Sequence, residues 1–532
     1  MGVVSRSTKG CFWWVLVLGI AALVVAAAVV TLVYKHKKSA NGSSGSHEKA
    51  PYLGSAAYSQ ALGLSLTFLD LQKSGKLPED NPISWRGDSA LKDGEDVGLD
   101  LSGGMYDAGD HIKFSFPMAF TCTLLSWSVL EYGAQMAAAK QLTAAKNNIK
   151  WITDYLLKTH SSSNELYFQV GDPAIDHACW QRPEDMDESR PSYILNTSMP
   201  GSEVAAEVAA AMASASLVFR KDQASYSETL VKHARDLFQF ANTSRDSYTS
   251  SYPVEQTYYN STSFGDELLW AASWLYHATG EESFLTYATG SDGELYAEWD
   301  KAPAWLSWDN KVPGVQVLLS RQQYLSSQGG SSLTTTGLAK YKKTANELMC
   351  ALLPDSPTAT KDRTAGGLIW VIQWNPVQHA VNAALLALIY SDYLYTSKST
   401  LECSGESYSP EDLRSFSISQ ANYLLGKNPA KMSYLVGYGS DFPQKIHHRA
   451  ASIPSDSKKY ACKDGFQWLS ASSENPHTAE GALVGGPFQN DSFVDSRNNT
   501  MQNEPTTYNT AALVGLMAGL TSSTQVTLST WA

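Results

Sequence analysis

The chain lacks the positive charge that a polyanion would need. Lys and Arg number 40 against 52 Asp and Glu in 532 residues, for a formal net charge of −12. With no basic patch either, nucleic acid is not an expected partner. Cysteine is scarce: six in all, none in CxxC spacing. That argues against a zinc site. Cys11 borders an apolar run, and the other five allow at most two disulfides, so a hydrophobic core must hold the fold. Linkers rich in Pro, Gly or Ser are missing after residue 50, and so is any sustained apolar–polar alternation. The first absence argues for one large domain, the second against an all-β body.

What is present begins with an uninterrupted apolar run over residues 12–34, 23 residues without a charge. As a helix it would be about 35 Å long, enough for a hydrocarbon core of about 30 Å. A cleaved secretory signal has an apolar stretch of only about 7–15 residues, and this run leads straight into "KHKK". The expected organisation is a tail over 1–11, a transmembrane signal anchor over 12–34, a flexible stalk over 35–50 and a body over 51–532. Cations on both sides of the run nearly balance, so the positive-inside rule does not set its direction. Asn-x-Ser/Thr acceptors at Asn41, Asn196, Asn242, Asn260, Asn490 and Asn498 all follow the run. They favour a single-pass protein with its body in the secretory lumen or outside the cell; the alternative is secretion after signal cleavage.

From residue 56 onward helical periodicity recurs over 56–73, 119–136, 141–158, 203–219, 225–241, 265–279, 282–299, 312–325, 337–352, 376–395, 411–425 and 506–520. Consecutive pairs of this kind predict hairpins packed into a layered all-α body. Trp127 and Trp270, among apolar neighbours at helical spacing, belong to its core. Trp, His, Arg and Asp concentrate instead in the long connections, in "DHACWQRPEDMD", "SWDNK", "IQWNPVQH", "KIHHR" and "FVDSRNNTMQNEP". Long connections in a compact domain are usually functional.

One of them, "GGMYDAGDHIKF" at 103–114, sets Asp107 and Asp110 three positions apart with Ala108 and Gly109 between. Taken alone it is a turn. Beside an aromatic cleft it suggests glycosidic cleavage, because sugar rings stack on Trp and Tyr and their hydroxyls take His, Arg and Asp partners. Two carboxyls must then flank the bond, one protonated and one ionised. Asp107 and Asp110 are too close together for that and suit a shared water, so the acid must come from elsewhere in the chain.

Taken in order, "GGMYDAGDHIKFSFPMAF", "VGDPAIDHACWQRPEDMD", "SFGDELLWAASWLYHATG", "YLLGKNP", "SYLVGYGSDFPQKIHHR" and "ALVGGPFQNDSFVDSRNNTMQNEPTTY" resemble the glycoside hydrolase family 9 endo-β-1,4-glucanases, the plant-type members above all. The resemblance runs from about residue 51 to 525. It implies an (α/α)6 barrel of six helical hairpins and hydrolysis of β-1,4-glucan with inversion, no cofactor being required. By motif it makes Asp110 the general base, Asp107 its partner in holding water and Glu504 the proton donor. His447 and Arg449 match the sugar-contacting pair at the cleavage point, and Asp495 an acid usually counted with the site, its plain alternative being a structural partner for Arg497 or a nearby loop. His177, Trp180, Tyr258, Trp308 and Trp374 match platforms for successive glucose rings, and Tyr508 joins the substrate-binding set.

There are departures. Thr500 replaces a usual aromatic, Phe488 stands where an Asp is usual, and Asn509 comes one residue early, leaving Thr510 at its position. Some bacterial relatives hold calcium near the "DEL" motif; here Thr262, Ser263 and Pro313 fit poorly, so Asp266 and Glu267 are taken as helix-start acids and no metal is assigned. With no carbohydrate-binding module after the last helix, amorphous or nascent glucan is the expected substrate. The alternatives are a xyloglucan or glucomannan backbone, or a weakly active membrane-tethered glucan-binding scaffold.

Overall fold

The computed structural model describes residues 49–299, 303–326, 336–456 and 458–531. The apolar run over 12–34, its tail and the stalk up to 48 lie outside the described residues. Residues 50–532 form one compact unit.

Twelve long helices carry it: α1 (Ser55–Leu71), α2 (Ser115–Ala138), α3 (Leu142–Thr159), α4 (Ser202–Phe219), α5 (Ala224–Thr243), α6 (Gly265–Thr279), α7 (Glu282–Thr289), α8 (Val312–Ser326), α9 (Thr336–Leu352), α10 (Val377–Ser397), α11 (Pro410–Leu424) and α12 (Thr507–Leu520). The even-numbered helices make an inner ring in which each packs on the next and α12 closes on α2. The odd-numbered ones lie outside, most of them bridging two inner neighbours. Composition decides the layer. All of α12 and all of α4 except Val218 are buried, as an all-round apolar and small-residue surface requires. α3 and α5 each bury one stripe and expose the other. Gly515 and Gly519 let α12 approach its neighbours: a Cβ would lie 2.2 Å from Ser128 Oγ at the first and 2.7 Å from Leu388 at the second. Among the described helices, α4 is the one apolar and long enough to cross a membrane, and it is spent inside the ring.

Two details differ from the periodicity. The expected helix over 282–299 breaks at Gly290 into α7 and a short helix, Ser291–Tyr296. Short strands are present too: β1 (Lys113–Phe114), β2 (Leu166–Val170) and β3 (Ser192–Leu195) form an antiparallel sheet, and β4 (Leu401–Cys403) pairs with β5 (Glu406–Tyr408). At two to five residues each, these strands are too brief to show alternation. Disulfides join Cys179 to Cys462 and Cys350 to Cys403, and Cys122 is a buried free thiol. Trp127 and Trp270 are buried edge-to-face against each other and Trp274.

Candidate active site

A cleft of about 760 Å³ opens where the inner helices begin. Asp107 and Asp110 precede α2, His177 and Trp180 precede α4, and Tyr258 precedes α6. Trp308 precedes α8, Trp374 precedes α10, and His447, Arg449 and Glu504 precede α12. The positive ends of the inner-helix dipoles therefore lie on the side where negative charge is used. Sheet pairing supplies the finer alignment. Lys113 of β1 opposes Val170 of β2, so the chain entering β1 and the chain leaving β2 emerge side by side. That sets Asp110 beside His177, with His177 Nε2 at 3.2 Å from Asp110 Oδ2.

Gly109 is required here by close approach. A Cβ on it would sit 2.1 Å from the His447 carbonyl oxygen. The Arg449 N–H donates to Gly109 O at 3.0 Å, and the Gly109 N–H donates to Glu504 Oε1 at 3.2 Å. One glycine thus joins three segments of the cleft. Gln72 braces the same turn from below, donating from Nε2 to Ala108 O at 2.6 Å and to Tyr106 O at 3.2 Å, while its Oε1 meets His448 Nε2 at 2.8 Å.

The three acids are set differently. Burial pushes Glu504 up to about 8, the nearby Asp110 charge adds to this, and the Gly109 N–H offsets only part. Asp110 is partly buried, which raises it, but the hydrogen bond and charge of His177 and the charge of Arg449 outweigh this and hold it below the usual carboxylate range. Asp107 is pushed well up by burial and by Asp110, against the pull of a hydrogen bond from Tyr259. Its Oδ1 is buried without a hydrogen-bond partner. At neutral pH the cleft therefore pairs an ionised Asp110 with a protonated Glu504.

The other expected residues fall into place unevenly. His447 lines the cleft with Nδ1 at 2.5 Å from Arg497 O, and burial pushes it down to about 4, so it is neutral. Arg449 is buried, donating from Nη2 to Asp176 Oδ2 at 2.6 Å. Tyr258 packs on His177 at the mouth, and Trp308 stands edge-on to Tyr259. Trp374 is 51% exposed, open for stacking. Tyr508 is buried at the cleft wall and accepts from Asn375 Nδ2 at 3.1 Å. Trp180 lines the cleft but is 3% exposed, its indole N–H donating to Ser452 Oγ at 2.9 Å, which makes it wall more than open platform.

Asp495 is absent from the cleft lining: its oxygens accept the backbone N–H groups of Gln444 at 2.8 Å and Lys445 at 3.0 Å, clamping the loop that leads to His447, as its structural alternative expects. Asp266 and Glu267 do lie in the first turn of α6, yet they are buried with Glu207 around Lys311, whose Nζ is 2.9 Å from Glu267 and 3.3 Å from Glu207. That group already holds its own cation and does not fit a metal ion. Asn509 bonds Asn375 Oδ1 at 2.6 Å, so the early Asn braces the loop that presents Trp374.

Tyr259, Asp176 and Gln72 were not foreseen. Tyr259 and Asp176 adjoin foreseen residues, Tyr258 and His177, and adjacency was the one available signal. Gln72 had none.

Such a groove suits cleavage of bonds between sugars, and the ring of paired helices beneath it places the protein among the glycoside hydrolases. More particularly, the chain belongs to glycosyl hydrolase family 9, which it matches over residues 58–517. It is 56% identical over 529 residues to Endoglucanase 24 of Oryza sativa subsp. japonica, covering 98% of this chain and 99% of that protein. To Endoglucanase 10 of Arabidopsis thaliana it is 53% identical over 524 residues, 98% of each. Among solved structures, the endoglucanase of the termite Nasutitermes takasagoensis superposes with a TM-score of 0.76 at 39% identity, covering 87% of this chain and 98% of that one. Endoglucanase CelQ of Clostridium thermocellum, complexed with cellobiose and cellotriose, gives 0.71 at 30% identity over 90% of this chain and 72% of that one.

Proposed function

We propose that this protein is an endo-β-1,4-glucanase that cleaves internal bonds of cellulose or related glucans by a single, inverting displacement. Ionised Asp110 takes a proton from water as the water attacks the anomeric carbon, and Asp107 helps orient that water. Glu504 gives its proton to the departing glycosidic oxygen. Arg449 and neutral His447 meet sugar hydroxyls at the cleavage point, with Tyr258, Trp308 and Trp374 stacking rings to either side. No cofactor enters this scheme. The observation that carries it is the opposed ionisation of Asp110, held low, and Glu504, raised to about 8, in one cleft. Proton NMR of the first product from cellopentaose tests it: an α-anomer is expected, and a β-anomer means that Asp110 does not activate water. Running xyloglucan and glucomannan beside soluble cellulose fixes the substrate.

The reading extends to a membrane-tethered enzyme, with 12–34 as anchor and the body on the lumenal or extracellular face. The acceptor sequons after the apolar run support it, as do two disulfides, which persist in oxidising compartments. In sealed microsomes the body should survive added protease, and digestion from the cytosolic side would rule this topology out.

A further inference from the structure

Phe488, the residue found where an acid is usual, takes no part in the catalytic cleft. It lines a separate open concavity of about 600 Å³ with Arg363, Trp370, Gln373, Gln489 and Asn490. Asn490 heads the sequon Asn490–Asp491–Ser492. The backbone from Phe488 to Ser492 is a tight turn: the Asp491 N–H donates to Phe488 O at 2.9 Å, and the Phe488 N–H donates to Ser492 O at 2.9 Å. Asp491 closes it in the left-handed region, φ 63°, as in a turn ending in a bulge. Asp is among the few non-glycine residues that adopt that conformation readily. Here Asp491 is buried, with Oδ1 accepting from Tyr423 Oη at 2.5 Å and Oδ2 from the Gly366 N–H at 2.7 Å. Trp370 is fixed alongside through Nε1 to Pro487 O at 3.1 Å. The Asn490 carboxamide accepts at Oδ1 from Ser492 N–H at 3.1 Å and Ser492 Oγ at 2.7 Å, so its hydrogen bonds occupy the oxygen and leave Nδ2 for substitution.

We propose that Asn490 carries an N-linked glycan whose first N-acetylglucosamine lies against the Phe488 ring, with the glycan core in the concavity beside Trp370. The transfer uses a lipid pyrophosphate-linked oligosaccharide. Asn490 Nδ2 forms the bond to the sugar's anomeric carbon, the bond from that carbon to the pyrophosphate oxygen breaks, the pyrophosphate leaves with the electron pair, and the amide proton passes to a base of the transferase. The apolar face of a sugar packs on an aromatic ring as another ring does, and the rigid turn holds both partners before the sugar arrives. Sequence would not single this sequon out, because Phe240 and Tyr258 also precede acceptors, Asn242 and Asn260, by two positions. Phe240, however, is buried in α5, and Tyr258 belongs to the cleft and packs on His177. Phe488 alone of the three shares an open surface with its acceptor.

The inference rests on the lumenal reading, and one experiment separates the two. The full chain is made in a secretory eukaryotic host, and its glycans are released by the amidase in heavy-oxygen water, so that peptide mass mapping marks each occupied Asn. Asn490 should be marked, and Asn490→Gln should remove one step from the mobility ladder. Trimming glycans to their first sugar should leave Tm unchanged, whereas removing that last sugar should lower it by about 1–2 °C, the scale of one aromatic contact in a large chain. In Phe488→Ala the second step should have no effect. An unmarked Asn490 with Asn196, Asn260 or Asn498 marked overturns the proposal and spares the topology. No mark anywhere overturns both. A Tm response that is the same with and without Phe488 removes the stacking. Should Phe488→Ala raise KM for long soluble glucan in an Asn490→Gln background, the concavity binds substrate instead and the proposal falls.

Discussion

Asp110 and Glu504 are two carboxyls of one cleft, the second accepting the N–H of Gly109 beside the first, and their surroundings drive them to opposite protonation states. For Asp110 the hydrogen bond and charge of His177 and the charge of Arg449 outweigh burial, whereas for Glu504 burial and the Asp110 charge outweigh the Gly109 N–H and the weaker pull of the same two cations. Removing either side chain should nearly abolish glucan hydrolysis. The two losses should part company on a glycosyl fluoride, whose leaving group needs no proton. There Glu504→Ala should recover part of its rate and Asp110→Ala none. The alkaline limb of kcat/KM should fall near pH 8 as Glu504 loses its proton, and Glu504→Ala should flatten that limb with the fluoride substrate. A limb unchanged in Glu504→Ala would assign the titration to another group.

The unit of construction is an inner helix together with the loop that feeds it. Apart from Tyr508, in the first turn of α12, every cleft residue named above sits in such a loop, so the helices act as six fixed posts and the loops carry the chemistry. Loops of this kind need clamps. Asp495 holds the backbone at Gln444 and Lys445, and Arg497 donates to Trp468 O, Ala471 O and Ser473 O to fasten the neighbouring stretch. Because Asp495 acts through position, Asp495→Ala should lower Tm and reduce kcat about tenfold, the cost of a slightly misplaced His447 and Arg449. Its pH–rate profile should keep the wild-type limbs. A shifted limb would mean that Asp495 takes part in proton transfer after all.

Across the whole molecule many carboxyls are raised above the ordinary carboxylate range. Burial, the largest cause in each case, raises Glu203, Glu255 and Asp392 to about 7, Asp266 to about 6 and Glu504 to about 8. A carboxyl whose folded pKa exceeds its unfolded value binds more protons in the native state, so stability falls as pH rises through the interval between the two. Buried histidines oppose this at lower pH: burial depresses His160, His379 and His447 to about 4, and charging them in the unfolded chain weakens the fold as pH drops below about 6.5. Above about pH 7 the unfolded histidines are mostly neutral and the carboxyls dominate, so Tm measured by calorimetry should decline from there to about pH 8. A flat or rising Tm would show that these acids are ionised within the fold.

Twelve helices were legible in the sequence because apolar spacing is a local signal: a strip that must face a core is written every three or four residues whatever lies elsewhere. Family motifs likewise pointed to Asp107, Asp110, Glu504, His447 and Arg449 and the aromatic set around them, and these residues line one cleft. The near-complete burial of α4 and α12 accords with their mostly small and apolar composition, although α4 takes Glu203 and Glu207 inside with it. Closure of the inner ring was not legible in the helical spacing and came only with the family resemblance, while the individual contacts that depend on it came from the tertiary structure. The contact between Gly109 and Glu504 spans 395 positions and exists because α12 packs back on α2. Tyr259 under Asp107, Gln72 beneath the turn, Asp495 as a clamp and Phe488 facing its own surface are consequences of packing between distant segments. A side chain's charge state and partners are set by what surrounds it in space, and chain order alone does not specify that.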